Sequence, residues 1–399
     1  MDKLTILDLT DAQLRGRRVL VRVDFNVPLD DALQVTDDTR ITAALPTLDR
    51  LVAKGAKVVL LSHLGRPKGK PEAKYSLAPV AARLKALASF PVTFLAETDT
   101  DAAVAATQAL AAGSALLLEN TRFLAGEEQN DEALARSLAR LGDLYVNDAF
   151  GTAHRAHAST QGVARFCKPA VAGLLMQKEL DYLGGALDKP KHPFVAVLGG
   201  SKISGKIDVI DALLPKVDAL LIGGAMACTF YKAMGFETGT SLVEPDRVEL
   251  AKELIERAGT LLILPHDATV AASVAAAATA HAVARDKIPA AEAMLDIGPR
   301  TAESYGRAIA SAKTVIWNGP MGVFEKPPLD AGTMAIAKAM AAATKTGCTT
   351  IVGGGDSAAA VAQAGLEHAM SHVSTGGGAS LEFLEGEVLP GVAILDERH

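Results

Sequence analysis

Short apolar runs rich in β-branched residues alternate along this chain with longer stretches in which apolar positions recur every three or four residues. In the first half the short runs are residues 18–25 (RVLVRVDF), 57–64 (KVVLLSHL), 91–96 (PVTFLA), 115–120 (ALLLEN) and 144–150 (LYVNDAF). In the second half they are 194–200 (FVAVLGG), 219–224 (ALLIGG), 260–270 (TLLILPHDATV), 314–319 (TVIWNG) and 349–355 (TTIVGGG). Between them lie Ala/Leu/Lys/Glu stretches such as 131–140 and 244–258, which predict helices, and the alanine-rich segment 271–284 predicts another. Runs this apolar suit strands covered on both faces, and helical crossovers then predict parallel sheets in an α/β fold. About five strands in each half divide the chain into two Rossmann-like, three-layer domains. The first is expected over 1–172. The join falls in 173–190, where 176–187 reads as helix before Pro190 and Pro193 reset the chain into a second domain from 191. A helical join couples domains more stiffly than a Gly/Ser linker does.

Composition narrows the function. The 399 residues are 49% hydrophobic and 22% charged, with a net charge of -6, so any basic site must be local and no nucleic-acid partner is expected. Aromatics at 4% leave little for base stacking. Cys167, Cys228 and Cys348 are far apart and form no CxxC or His/Cys cluster, so neither a zinc site nor a disulfide framework is suggested. The opening MDKLTILDLTD lacks the basic start and long apolar core of a signal peptide, and no apolar run reaches the ~20 residues of a membrane span. A cytoplasmic protein with no membrane partner is expected.

The two halves carry different chemistry. Strands of the first half end in polar groups: Asp24 and Asn26 with Arg40 following, His63 and Arg66, Arg122, then His154, Arg155 and His157. Ligands of open parallel sheets bind at the carboxyl ends of strands, so these groups converge there. Four arginines suit a small polyanion, because guanidinium forks match carboxylate and phosphate oxygens. The second half offers glycine turns: LGGSKISGK, IGGAM, WNGPMGVFE, IVGGGDS and VSTGGGAS. Residues 200–207 fit G-x-x-x-x-G-K, but Ile207 stands where a magnesium-binding hydroxyl belongs, so this is not a Walker loop. No turn gives the dinucleotide G-x-G-x-x-G with its later acid. The residues by themselves point to an anion-binding domain and a nucleotide-binding domain joined by phosphoryl transfer. A two-domain dehydrogenase and a two-lobed solute receptor are the competing readings; the missing dinucleotide fingerprint counts against the first, and the paired anion and glycine sites against the second.

Taken together, VRVDFNVP, LSHLGRP, LLLENTRF, NDAFGTAHRAHAST, GGSKISGK, WNGPMGVFE, GGGDS and VSTGGGASLEFLEG resemble, in order and over nearly the whole chain, the motifs of the phosphoglycerate kinases. The resemblance implies reversible phosphoryl transfer from 1,3-bisphosphoglycerate to Mg-ADP, giving 3-phosphoglycerate and ATP. It implies a triose site at Asp24, Phe25, Asn26, Arg40, His63, Leu64, Gly65, Arg66, Arg122 and Arg155. The nucleotide site would comprise Gly200, Ser201, Lys202, Lys206, Asn318, Glu325, Gly354, Gly355, Asp356 and Ser357. It further implies a monomer with a deep cleft that closes by hinge bending, a nucleotide domain ending at 384, and a tail, 385–399, returning to the first domain. Gly205, Ser201, Ser357, Thr121 and the pair Ala225–Met226 depart from the family's common residues, and none of them removes a group assigned to chemistry.

Such a reaction needs no general base, since a carboxylate is ionised above about pH 4. Alignment and charge neutralisation remain. Arg40 and Lys202 are the expected cationic donors to the moving phosphoryl group, with backbone amides at Gly354 and Gly377, each contributing on the order of 3 kcal/mol. Asp356 beside a polyphosphate would repel it unless a cation intervened, so it is expected to contact nucleotide-bound Mg2+, directly or through water. No prosthetic group is expected.

Overall fold

The computed structural model describes residues 2–398. The chain forms two compact units, one running to Asp181 and resuming at Val388, the other spanning Tyr182–Glu387.

Unit 1 is built on six strands: β1 (Arg18–Arg22), β2 (Lys57–Leu61), β3 (Val92–Leu95), β4 (Ser114–Leu118), β5 (Leu144–Asn147) and β6 (Ala170–Ala172). They lie in the order β3-β4-β2-β1-β5-β6, and every adjacent pair is parallel. Val19, Leu20 and Val21 are fully buried, as are Val58, Val59, Leu60 and Leu61, which is why alternation is lost and the strands read as unbroken apolar runs. From β1 the chain builds outward to β2, β3 and β4, then crosses to β5 and β6 on the other side. Strand order therefore reverses between β1 and β5, where open α/β sheets take ligands. The last residues belong to this unit. Leu4 N–H donates to Asp396 O (2.8 Å), the buried Lys3 ammonium donates to the carbonyls of Ala393 (3.1 Å) and Leu395 (2.9 Å), and Asn147 Nδ2 donates to Gly391 O (2.9 Å).

Unit 2 holds β7 (Phe194–Leu198), β8 (Ala219–Ile222), β9 (Leu262–Ile263), β10 (Asp267–Ala271), β11 (His281–Ala284), β12 (Ala293–Ile297), β13 (Thr314–Asn318), β14 (Thr349–Gly353) and β15 (His372–Val373). A second parallel six-stranded sheet runs β15-β14-β13-β7-β8-β9, with its reversal between β7 and β13. β11-β10-β12 form a separate antiparallel sheet.

The parallel α/β reading holds for both units, with corrections. The single strand expected over 260–270 breaks around Pro265 into β9 and β10, which belong to different sheets. The helix expected over 271–284 is absent: a 3-10 stretch at Val274–Thr279 leads into β11, whose residues pair with β10. Backbone pairing outweighs the intrinsic helix preference of alanine there. The join contains helix at Leu174–Glu179, a π turn at Leu180–Gly184 and a last turn at Gly185–Asp188. No helix among the described residues is long and apolar enough to cross a membrane.

Candidate functional site

In unit 1 the chain leaves β1 extended and delivers Asp24 and Asn26 to the carboxyl end of the sheet. Arg40, in the first turn of the helix Thr39–Ala53, reaches both: Nη1 lies 3.3 Å from each oxygen of Asp24 and 2.9 Å from Asn26 O. Asn26 Oδ1 accepts from Gly65 N–H (2.9 Å) in the turn after β2, where Gly65 has φ 61°. Arg122 Nη1 donates to Gly65 O (2.7 Å). The Arg122 side chain is 4% exposed and pairs through Nε with Glu128 at 3.3 Å, yet its buried Nη2 has no hydrogen-bond partner.

Phe25 and Leu64 belong to the hydrophobic core, so their side chains anchor the two strand ends. Arg66 is exposed, and Arg155 is half-buried with Nε donating to His154 Nε2 (3.1 Å). Neither is hydrogen-bonded directly to the Asp24–Asn26–Arg40–Gly65–Arg122 cluster.

His63 is buried, and its Nδ1 lies 3.1 Å from Nη2 of Arg22, a guanidinium that can only donate. Burial, then the charges of Arg22, Arg122 and Arg40, hold the His63 pKa well below the usual histidine value. His157 is pushed down to about 4 by burial and by Arg122, Arg22 and Arg155. A field that keeps both imidazoles neutral is one prepared for an anion. Arg22, 1% exposed, lies within VRVDFNVP but is not among the predicted site residues; a charge inside an otherwise apolar strand run is the signal that marks it.

In unit 2 a cavity of about 360 Å³ opens at the β7/β13 reversal. Gly200, Ser201, Lys202, Lys206, Asn318, Gly354, Gly355, Asp356, Ser357 and Gly377 all line it. The glycines are needed for different reasons. Gly354 has φ 88° and a Cβ there would come within 3.2 Å of Asn318 Nδ2, while a Cβ on Gly319 (φ 97°) would collide with the backbone of Gly199. Gly354 caps the helix Gly355–Gln363 without a side-chain bond, leaving first-turn amides available to an anion. Ser357 is fully buried, and its Oγ accepts from Gly319 N–H (2.6 Å), tying two turns together.

Lys206, half-buried, donates to Asn318 Oδ1, and burial lowers its pKa against the opposing pull of Glu385 and Asp356. Asn318 Nδ2 is buried without a partner. Lys202 and Asp356 are exposed.

Glu325 lies elsewhere, on an adjoining cavity of about 490 Å³ that also presents Ala225, Leu242, Leu295, Val323 and Phe324. The two cavities share Gly200, Ser201, Pro320 and Asp356. The apolar wall was not anticipated, since its residues come from turns and strands scattered from 225 to 324. Among the described residues no three His, Cys, Asp or Glu side chains cluster to hold a metal. Asp356, a single carboxylate, fits a cation that also brings phosphate and water ligands.

Residues 9–387 match the family model described as phosphoglycerate kinase. The chain is 60% identical over 402 residues to a phosphoglycerate kinase of Chloroflexus aurantiacus, covering 100% of both chains. It is 56% identical over 399 residues to one from Chlorobium luteolum, with 99% of this chain and 100% of the relative covered. Among solved structures, phosphoglycerate kinase from Coxiella burnetii superposes with a TM-score of 0.87 at 43% identity, and that of Pyrococcus horikoshii with 0.84 at 31%, each covering 98% of both chains.

Proposed function

The chain belongs to the phosphoglycerate kinase family, and from that premise we propose how its two units divide the reaction. The enzyme is a phosphotransferase with a carboxyl group as acceptor. In the ATP-forming direction a β-phosphate oxygen of ADP attacks the acyl phosphate of 1,3-bisphosphoglycerate. The P–O bond to the acyl oxygen breaks, and 3-phosphoglycerate leaves as a carboxylate. No proton is transferred, which agrees with a site whose imidazoles are held neutral.

Unit 1 takes the triose. Arg122 offers its unpartnered Nη2 to the anion, Arg40 reaches towards the transferring group from its seat on Asp24 and Asn26, and His63, Arg66 and Arg155 complete the cationic surround. Unit 2 takes the nucleotide, with phosphates against Gly354, Gly355 and Gly377, Lys202 and Lys206 neutralising them, and Asp356 contacting the magnesium that travels with the nucleotide. The apolar cavity beside Glu325 takes the base. Substrates held by different units require a closed state in which they meet with water excluded. A cytoplasmic monomer is the form proposed.

The observation that carries this reading is that in each unit a buried side-chain nitrogen without a hydrogen-bond partner sits amid groups that bind anions: Arg122 Nη2 in unit 1 and Asn318 Nδ2 in unit 2. A coupled assay for ATP from ADP and 1,3-bisphosphoglycerate, run on wild type and Arg40→Ala, tests it. Turnover should fall by about two to three decades while calorimetric ADP affinity stays near wild type. An equal loss of ADP affinity would remove Arg40 from the triose side.

A further inference from the structure

LLLENTRF contributes more than Arg122. Asn120, two residues beyond β4, is 0% exposed and uses its whole side-chain amide. Nδ2 donates to Leu64 O (2.7 Å) and to Tyr75 O (2.9 Å), and Oδ1 accepts from Arg122 N–H (3.0 Å). A flipped amide would set an oxygen against two carbonyls and a donor against an N–H, so a single orientation survives.

Its reach is longer than those three bonds. Leu64 C=O and Gly65 N–H belong to one peptide plane; Asn120 holds the first and Asn26 Oδ1 the second at 2.9 Å. The next carbonyl, Gly65 O, accepts from Arg122 Nη1 (2.7 Å). Asn120 thus sets both ends of Arg122, the backbone directly and the guanidinium through the Leu64–Gly65 peptide. Tyr75, whose carbonyl Asn120 also holds, lays its ring against the α-carbon of Gly65, where a Cβ would collide with it.

We propose that Asn120 is a positioning residue for the triose site, holding the 63–66 turn and Arg122 in the arrangement that leaves Arg122 Nη2 free for the substrate anion. This rests on the assignment of Arg122 to the triose. Asn120 touches no substrate itself and acts through Arg122 and Gly65.

Steady-state kinetics of 3-phosphoglycerate phosphorylation by Mg-ATP test it with four variants. Asn120→Asp keeps the oxygen that accepts from Arg122 N–H and removes both donors. Its KM for 3-phosphoglycerate should rise about tenfold or more, with KM for ATP unchanged and kcat altered less. Thr98→Val is the control: Thr98 Oγ1 donates to Glu119 O (2.8 Å) in the same buried neighbourhood, so this variant loses thermal stability but keeps a wild-type KM. Equal KM increases in the two variants would reduce Asn120 to a general structural role and overturn the proposal. Arg122→Ala separates the layers. If it raises the triose KM and Asn120→Asp does not, positioning alone fails; if it leaves that KM unchanged, the reading of the triose site fails too. Asn120→Ser repeats the experiment without an added charge, and failure of both Asn120 variants to fold would overturn the proposal by making the residue a requirement of the fold.

Discussion

The ammonium of Lys206 donates to the side-chain oxygen of Asn318 and so decides which way that amide faces. An ammonium has only hydrogens to offer, so Oδ1 must meet it and Nδ2 must point away, where it lies buried beside Gly354 without a partner. A lysine that would otherwise serve only as a charge also orients a neutral donor towards the turn assigned to the phosphates. Asn318→Asp keeps the Lys206 contact and removes the donor. Calorimetry should show ADP bound about tenfold more weakly with 3-phosphoglycerate affinity unchanged; unaltered ADP affinity would show that Nδ2 meets no ligand.

Ser357 behaves differently from its neighbours in the same turn. Its hydroxyl is fully buried and accepts from Gly319 N–H. Ser357→Ala should therefore cost about 1–3 kcal/mol of folding stability, read by urea unfolding, and have a smaller effect on nucleotide affinity than Asn318→Asp. The reverse ranking would place the hydroxyl on the nucleotide.

Asp356 lines both cavities and is exposed. If it meets the cation carried by the nucleotide, Asp356→Ala weakens Mg-ADP markedly but leaves ADP in excess chelator bound as before, or slightly tighter because a repulsive charge is gone. Titrations with and without magnesium distinguish these cases, and equal weakening in both would remove the metal contact.

Asp148, after β5, accepts from the amides of Leu175 (2.9 Å) and Met176 (3.1 Å), and burial raises its pKa from 3.8 to about 7. An acid whose pKa rises on folding holds its proton more tightly in the native state. Its contribution to stability is therefore complete below the unfolded value and is lost as pH climbs towards the folded one. Asp296, raised to about 8 by burial, adds a slope of the same sign, but it is present in both proteins and cancels in their difference. The unfolding free energy of Asp148→Asn minus that of wild type should increase with pH through this window, by at most about 1.4 kcal/mol per unit. A flat difference would mean that Asp148 is ionised throughout.

Much of this could be read from residue order, and the omissions share a cause. Strands buried on both faces announce themselves as apolar runs, which made 18–25 and 314–319 plain. The runs overshoot because the residues after β1, β2 and β4 stay extended or buried while their polar groups turn to one another, so β1 ends at Arg22 and not at Phe25. β6, β11, β12 and β15 are short or border alanine-rich and polar segments, and their pairing partners lie outside any local window. The same limit governs the site. Arg40, Lys206 and Gly354 stand out as charges or glycines where the chain enters a helix. Asn120 does not, because its role comes from bonds to Leu64 and Tyr75 that only the folded chain supplies.

Unit 1 is made from two stretches of the polypeptide, one running to Asp181 and one resuming at Val388. Lys3 waits for the carbonyls of Ala393 and Leu395, and Asn147 for that of Gly391, all of them beyond the whole of unit 2. A ribosome makes the chain from the amino end, so the first unit to be synthesised is the last to be completed. Until Gly391, Ala393 and Leu395 emerge, the ammonium of Lys3 and the amide of Asn147 lack these acceptors. The nascent chain therefore has all of Tyr182–Glu387 in hand before it can close unit 1.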